Sequence, residues 1–300
     1  MAIAFERDFA APYDTVVTVA PRIRRLLAHN PSPFTFKGTG VTIVGQGHVA
    51  VIDPGPDDPQ HLTALRNALR NETVTHILVT HTHRDHSPAS RALKEWTGAE
   101  IYGFGPHGSG KAEEGIVIEE GGDMEFRPDV VVRDGDVIRA RDFSIECVHT
   151  PGHTSNHICY ALKEEKALFS GDHVMGWSTT VVAPPDGDMA HYLDSLKKLL
   201  ARDDAIYWPT HGGPIRDPKP IVKAYIEHRH EREAQILASL RDGLSAIPEI
   251  VARIYVGLDP SLRGAAALSV FAHLLQMTKD GRVIARGEPR LGAHFQMAQP

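Results

Sequence analysis

The chain has 300 residues, of which 42% are hydrophobic and 23% charged, with a net charge of −6 at pH 7. That length suits one large domain with a smaller unit attached, and the acidic balance argues against a general polyanion binder. Two cysteines, Cys147 and Cys159, give no disulfide framework. No stretch is apolar for long enough to span a membrane, and Glu6, Arg7 and Asp8 interrupt any secretory segment, so a cytoplasmic protein with no membrane partner is expected.

The β-branched runs Val41–Gly45 and His48–Gly55 read as a hairpin, with Asp53-Pro54-Gly55 ending the second strand. Pro59 to Arg70 has leucines at helical spacing and a proline suited to a first turn. Thr75 to Thr80 is a short apolar strand of the kind buried on both faces. Ser87 to Gly98 reads as a helix capped by Ser87, started by Pro88 and closed near Gly98. A strand "IYGF" follows, and residues 105–128 read as a long mobile surface loop. "DVVVRDGDVI" and "FSIECVHT" read as strand, turn and strand, with the turn at Asp134-Gly135-Asp136. "HICYAL" and "ALFSGD" form a pair across "KEEK". Met189 to Ala201 is an amphipathic helix, and Ala205 to Gly213 a last short strand.

Beyond this point a long helical pattern covers Lys219 to Arg241, then two further helical stretches and a two-stranded turn region. That order suggests a winged-helix-like α+β unit. The expected division is residues 1–225 and 226–300, with the long helix shared.

The densest chemistry is "THTHRDH", Thr80 to His86. His81 and His83, two apart on extended backbone, can converge on one ion, while Asp85 and His86, one turn on, reach a second point. Dications such as Zn²⁺ favour imidazole and carboxylate ligands, and two ions roughly 3.5–4 Å apart would use all four groups. Further donors stand at strand-to-loop junctions: His153 in "TPGHTSNH", Asp172 in "SGDH" and His211 in "THGG". Cys147 and Cys159 lie in apolar strand patterns and read as buried and inert. His228 and His230, in "EHRHERE", read as part of a solvated helix face.

These ordered motifs, with "IDPG" upstream, resemble the metallo-β-lactamase-fold hydrolases, and residues 35–215 carry the likeness. The resemblance implies an αββα sandwich in the α/β class. It implies a first metal on His81, His83 and His153, and a second on Asp85, His86 and His211. Asp172 would bridge them and Asp53 would orient a ligand. "GDHVMGWSTTVVAPPDGDMAHYLDSLKKLL" and the tail are similar to the β-lactamase-like protein 2 group, which includes RNA-cleaving enzymes. The absence of a cysteine ligand departs from the true zinc β-lactamases, and a histidine at position 83 departs from the diiron flavoproteins. Glyoxalase II enzymes share the ligand set.

The expected activity is hydrolysis of a small ester, thioester or lactone by a metal-bridging hydroxide, with Asp85 orienting or deprotonating the water and two Zn²⁺ (Mn²⁺ or Fe²⁺ as alternatives) as cofactors. His149, His157 and His173 are candidates for the proton donor. Trp177 and Thr179, with Ser178 and Thr180, follow Asp172 and are candidates for the pocket wall, Trp177 also for the core. Two alternatives stand beside this: a metal-dependent endoribonuclease with RNA as partner, and a nucleic-acid-binding regulatory protein with a structural metal site. The tail from Glu227 to Pro300 is close to charge-neutral, a weak footprint for phosphate binding.

Overall fold

The computed structural model describes residues 3–108 and 121–298. Apolar β-branched runs build a first sheet of seven strands: β1 (Val16–Ala20), β2 (Ile23–Leu27), β3 (Gly40–Gln46), β4 (His48–Ile52), β5 (Thr73–Leu78), β6 (Glu100–Gly103) and β7 (Val130–Val131), in that order. The first four pair antiparallel. From β4 on the pairing is parallel, with helix α1 (Pro59–Leu69) crossing over to β5 and helix α2 (Ala89–Thr97) to β6. A second, six-stranded sheet contains β8 (Val137–Arg139), β9 (Ser144–His149), β10 (Ile158–Leu162), β11 (Ala167–Gly171), β12 (Ile206–Pro209) and β13 (Ile215–Arg216), with α3 (Met189–Leu200) crossing over between β11 and β12.

The sheets stack face to face. Ile23, Val44, Ala50, Ile52 and Leu78 of the first meet Ile145, Cys147, Ile158, Tyr160 and Phe169 of the second. The outer face of the first sheet packs on α1 and α2 through Leu65, Leu69 and Leu93. The outer face of the second packs on α3 and on α4 (Pro218–Arg241) through Tyr192, Leu196, Val222 and Tyr225. The result is the expected αββα sandwich. β10 shows why its sequence has no polar alternation: Ile158, Tyr160 and Leu162 point between the sheets while Cys159 and Ala161 point to the helices. The two cysteines lie in different layers, both free, and burial pushes each thiol up to about 12.

A second core joins the far half of α4 (Ile236, Leu240) to α5 (Ile247–Ile254), α6 (Arg263–Lys279) and the ribbon of β14 (Val283–Ala285) and β15 (Phe295–Met297). The boundary expected at 225 therefore falls inside one continuous helix. No described helix is long and apolar enough to cross a membrane.

Two local expectations are corrected, while the Asp134-Gly135-Asp136 turn stands where it was expected and carries the chain from Val130–Val131 in the first sheet to Val137–Arg139 in the second. Ser87 does not cap α2. Pro88 takes that position, and the Ser87 hydroxyl donates instead to Asp123 Oδ2 at 2.8 Å. Of residues 105–128, positions 109–120 lie outside the described residues, but the end of the segment is not a surface loop. Asp123 and Phe126 are buried, and Asp123 N donates to Thr82 O at 2.7 Å, pinning the segment beneath the histidine loop.

Candidate metal centre

Each of the expected donors stands beyond the C-terminal end of a strand. The Thr80–His86 loop follows β5, His153 follows β9, Asp172 follows β11 and His211 follows β12. Ile158 N donates to Thr80 O at 2.8 Å and the Tyr160 hydroxyl to Val79 O at 3.0 Å, which ties the histidine loop to the opposite sheet. Gly171, at φ +52°, is required here: a Cβ would lie 2.5 Å from His157 Nε2 and 2.9 Å from Thr80 Oγ1, and Asp172 could not come so close.

All seven side chains converge. His83 Nδ1 lies 2.9 Å from His81 Nε2 and 3.2 Å from His153 Nε2. Asp85 Oδ2 lies 3.1 Å from His86 Nε2 and 3.0 Å from His211 Nε2. Between these groups sits Asp172 Oδ2, at 3.5 Å from His211, 3.6 Å from His86 and 3.9 Å from His153. Among the described residues, three donor sets are tight enough to hold a metal ion: His81, His83 and His153; His81, His86 and Asp172; Asp85, His86 and His211. Within each set the donor atoms lie within 4.8 Å of one another.

The rings are oriented from behind. Asp53, buried and held at φ +47°, accepts from Thr80 N at 2.8 Å, from the Thr80 hydroxyl at 2.7 Å and from the Thr210 hydroxyl at 2.9 Å. Its Oδ2 also lies 3.0 Å from His86 Nδ1. A carboxylate only accepts, so that nitrogen carries a proton, and Nε2 is the ring nitrogen that faces the cluster. The same logic applies to His153, whose Nδ1 faces Val181 O at 2.7 Å, and to His211, whose Nδ1 faces Gly38 O at 3.1 Å. His81 Nδ1 is 3.1 Å from a Thr80 hydroxyl that gives its own proton to Asp53, which again leaves Nε2 as the inward acceptor. Buried and inward, His86 Nε2 and Asp172 Oδ1 have no hydrogen-bond partner among the described residues.

The electrostatics divide the cluster. Burial, reinforced by neighbouring imidazoles, holds His81 and His83 well below the usual histidine range, so they stay neutral. Burial also opposes charge on His86 and His211, but the carboxylates outweigh it. Asp85, Asp172 and Asp53 raise His86, and Asp172 and Asp85 raise His211 to about 10. Burial likewise opposes ionisation of Asp85 and Asp172, yet His86 and His211 hold both below the ordinary carboxylate range. The two carboxylates thus draw protons onto His86 and His211, which places positive charge between the anions where a dication would otherwise sit.

The remaining candidates stand around this centre. His157 is a support: its Nε2 accepts from Asp172 N at 3.3 Å, and Nδ1 faces the Thr150 hydroxyl at 2.9 Å. His173 packs 4.7 Å from the Tyr192 ring, and neither of its ring nitrogens has a hydrogen-bond partner among the described residues. Burial keeps both His157 and His173 neutral. His149 is turned aside, stacked on Phe104 at 3.8 Å with Nε2 on Ser155 O. Thr179 is half-buried, and Trp177 stacks on Phe36 at 4.8 Å with 9° between the planes. That pair borders His211: a Cβ on Gly212 would lie 2.9 Å from Trp177, and Phe36 is two residues before the Gly38 carbonyl that holds the His211 ring. Phe36 pays for the stack with φ +58°, rare for a bulky residue.

The sequence reading missed Thr80, Thr210, Phe36 and Arg229. The first two had a signal, because each forms a Thr-His dipeptide with a cluster histidine. Arg229 lies in "EHRHERE", read as a solvated face, but it is only 2% exposed. His228 beside it is half-buried and lowered to about 4 by burial, so only His230 of that pair is exposed as expected.

Two layered sheets between helices, with this histidine and aspartate cluster at the strand ends, define a hydrolase of the metallo-β-lactamase fold. Residues 37–211 match the family model of the metallo-beta-lactamase superfamily, so the chain belongs to that superfamily. Residues 246–290 match the beta-lactamase-associated winged helix domain. The chain is 30% identical to a beta-lactamase-like protein 2 homolog of Drosophila melanogaster, over 95% of this chain and 97% of that protein. It is also 30% identical to an atrochrysone carboxyl ACP thioesterase of Claviceps purpurea, over 84% of this chain and 78% of the relative. A beta-lactamase domain protein from Burkholderia ambifaria shares the fold, with TM-score 0.80 at 19% identity over 97% of this chain and 96% of the other.

Proposed function

We propose that this hydrolase binds two zinc ions and opens an ester, thioester or lactone bond in a small-molecule substrate. The observation that carries the reading is the position of Asp172, whose carboxylate lies within 3.9 Å of His153 on one side and 3.5 Å of His211 on the other. His81, His83 and His153 would hold one ion, and Asp85, His86 and His211 the other, with Asp172 shared. An all-imidazole and carboxylate set suits Zn²⁺ and also accepts Mn²⁺ or Fe²⁺. When bound, such a pair supplies an activated water near neutral pH and stabilises charge developing on the substrate oxygen.

The chain's own residues do the rest. Asp85 orients the attacking water and takes its proton; its Oδ2, which faces His86 and His211, is held by the Thr39 hydroxyl donating at 3.2 Å. Asp53 holds His86 in the tautomer that leaves Nε2 free. Phe36 and Trp177 give the mouth a flat apolar wall suited to an acyl group. A thioester is favoured among the candidate bonds by the relative named as an acyl carrier protein thioesterase. In this reading residues 1–225 carry the reaction and residues 226–300 form the winged-helix unit, with α4 shared between them.

Elemental analysis of purified protein, with hydrolysis assays on acyl thioesters, lactones, phosphodiesters and RNA, tests the reading. The expected result is two metal equivalents per chain and thioester hydrolysis that His81→Ala and Asp172→Asn abolish. One equivalent or none after zinc reconstitution, or cleavage of RNA in place of the acyl substrates, overturns it.

A further inference from the structure

Asp172 opens a strap, residues 172–182, that has no regular secondary structure yet serves both halves of the centre. It starts with the shared carboxylate and ends with the Val181 carbonyl that fixes the His153 ring at 2.7 Å. In between, the Thr180 hydroxyl folds it back on itself, 2.6 Å from Asp172 O and 3.0 Å from His173 O. A segment without its own ladder of hydrogen bonds needs partners from outside. Tyr192 of α3 supplies one, its hydroxyl donating to His173 O at 2.8 Å.

The others come from α4, which leads into the winged-helix unit. The Tyr225 hydroxyl accepts from Met175 N at 3.3 Å, lies 2.6 Å from Met175 O, and also lies against Ser178 O. One helical turn further on, the Arg229 guanidinium donates to Thr180 O, the carbonyl next to Val181. Arg229 is 2% exposed, its charge sits 5.1 Å from the Tyr192 ring, and no carboxylate pairs with it among the described residues. Burying a cation without a counter-ion is costly, and a methionine or leucine would serve packing alone better. The arginine is explained by the carbonyl it reaches.

We infer that Tyr225 and Arg229 are positioning residues, through which α4 braces the strap and holds Asp172 and His153 in register for metal binding. One of the two readouts below rests on the metal reading proposed above; the other does not.

The test uses the full chain as Tyr225→Phe, Arg229→Met, Arg229→Lys and, as a control on the same helix, Glu233→Gln, which breaks the 2.6 Å ion pair that Glu233 makes with Arg282 beyond α6. Amide hydrogen exchange is measured on the metal-free proteins, and zinc affinity by chelator competition. Tyr225→Phe and Arg229→Met are expected to speed exchange across 173–182 about tenfold and leave 158–171 unchanged. Zinc affinity should fall by about 10- to 100-fold, the usual range for residues behind a metal ligand. Arg229→Lys, which keeps a cationic donor, should recover part of both effects, and Glu233→Gln should show neither. Unchanged strap exchange in both variants, or equal acceleration over 158–171, overturns the brace. So does faster strap exchange with unaltered affinity in a protein that binds zinc. If the wild type binds no zinc, the metal reading fails while the exchange result still decides the brace.

Discussion

Replacing Asp53 by Asn removes a charge and a single acceptor without changing shape. Its Oδ1 receives Thr80 N, and its Oδ2 receives the Thr80 and Thr210 hydroxyls and faces His86 Nδ1. With the amide oxygen kept on Thr80 N, the new NH₂ faces three donors. The two hydroxyls can rotate away, but the His86 N–H cannot, so the ring must move its proton to Nε2 and aim that proton into the cluster. The loss is one charge-assisted hydrogen bond, about 1.5–3 kcal/mol, together with one inward lone pair. At about 1.4 kcal/mol per tenfold, zinc affinity in Asp53→Asn should fall by about 10- to 100-fold. Chelator competition against the wild type, with circular dichroism to confirm the fold, measures this. An affinity within threefold of wild type would mean that Asp53 does not set the His86 tautomer, and the argument from orientation would be wrong.

Two further outcomes follow from residues outside the ligand set. His273 on α6 is 2% exposed, neither ring nitrogen has a hydrogen-bond partner among the described residues, and burial lowers it to about 3. The folded state therefore binds fewer protons than the unfolded one between about pH 6.5 and about 3. This contribution to stability is complete above that window and shrinks on acidification by roughly 1.4 kcal/mol per pH unit. Urea unfolding of metal-free protein at pH 7.5 and 5 should show His273→Leu losing about 2 kcal/mol less than wild type, and equal losses would refute a neutral buried imidazole. Trp177→Ala removes half of the stack with Phe36, worth about 0.5–1.5 kcal/mol. KM for a bulky planar acyl thioester should rise about two- to tenfold while that for an acetyl thioester stays level, and an equal rise for both would remove the pair from the acyl wall.

The parts legible in the sequence were those that crowd chemistry into few positions. Three histidines and an aspartate within His81–His86 have no ordinary structural use. His153, Asp172 and His211 each follow an apolar strand, which fixes where the side chain emerges even though spacing says nothing of which loops meet. Less legible was whatever depends on which polar residue a helix turns inward. In "EHRHERE" charges of both signs alternate, so the pattern cannot single out Arg229, and only the strap it meets does. The segment around Asp123 misled for a related reason: its glycines and acids look solvent-facing, but Ser87 and Arg91 donate to Asp123 at 2.8 and 2.9 Å and bury it. The turn at Asp134-Gly135-Asp136 was legible from its residues, but periodicity cannot tell a turn within a sheet from a crossing between sheets.

Anomalous diffraction at the zinc edge, from crystals grown with zinc, bears most directly on the whole account. It should give two peaks roughly 3.5–4 Å apart, one facing His81, His83 and His153, the other facing Asp85, His86 and His211, and both within ligand distance of Asp172. A single peak, or a pair that leaves Asp172 uncoordinated, would contradict it.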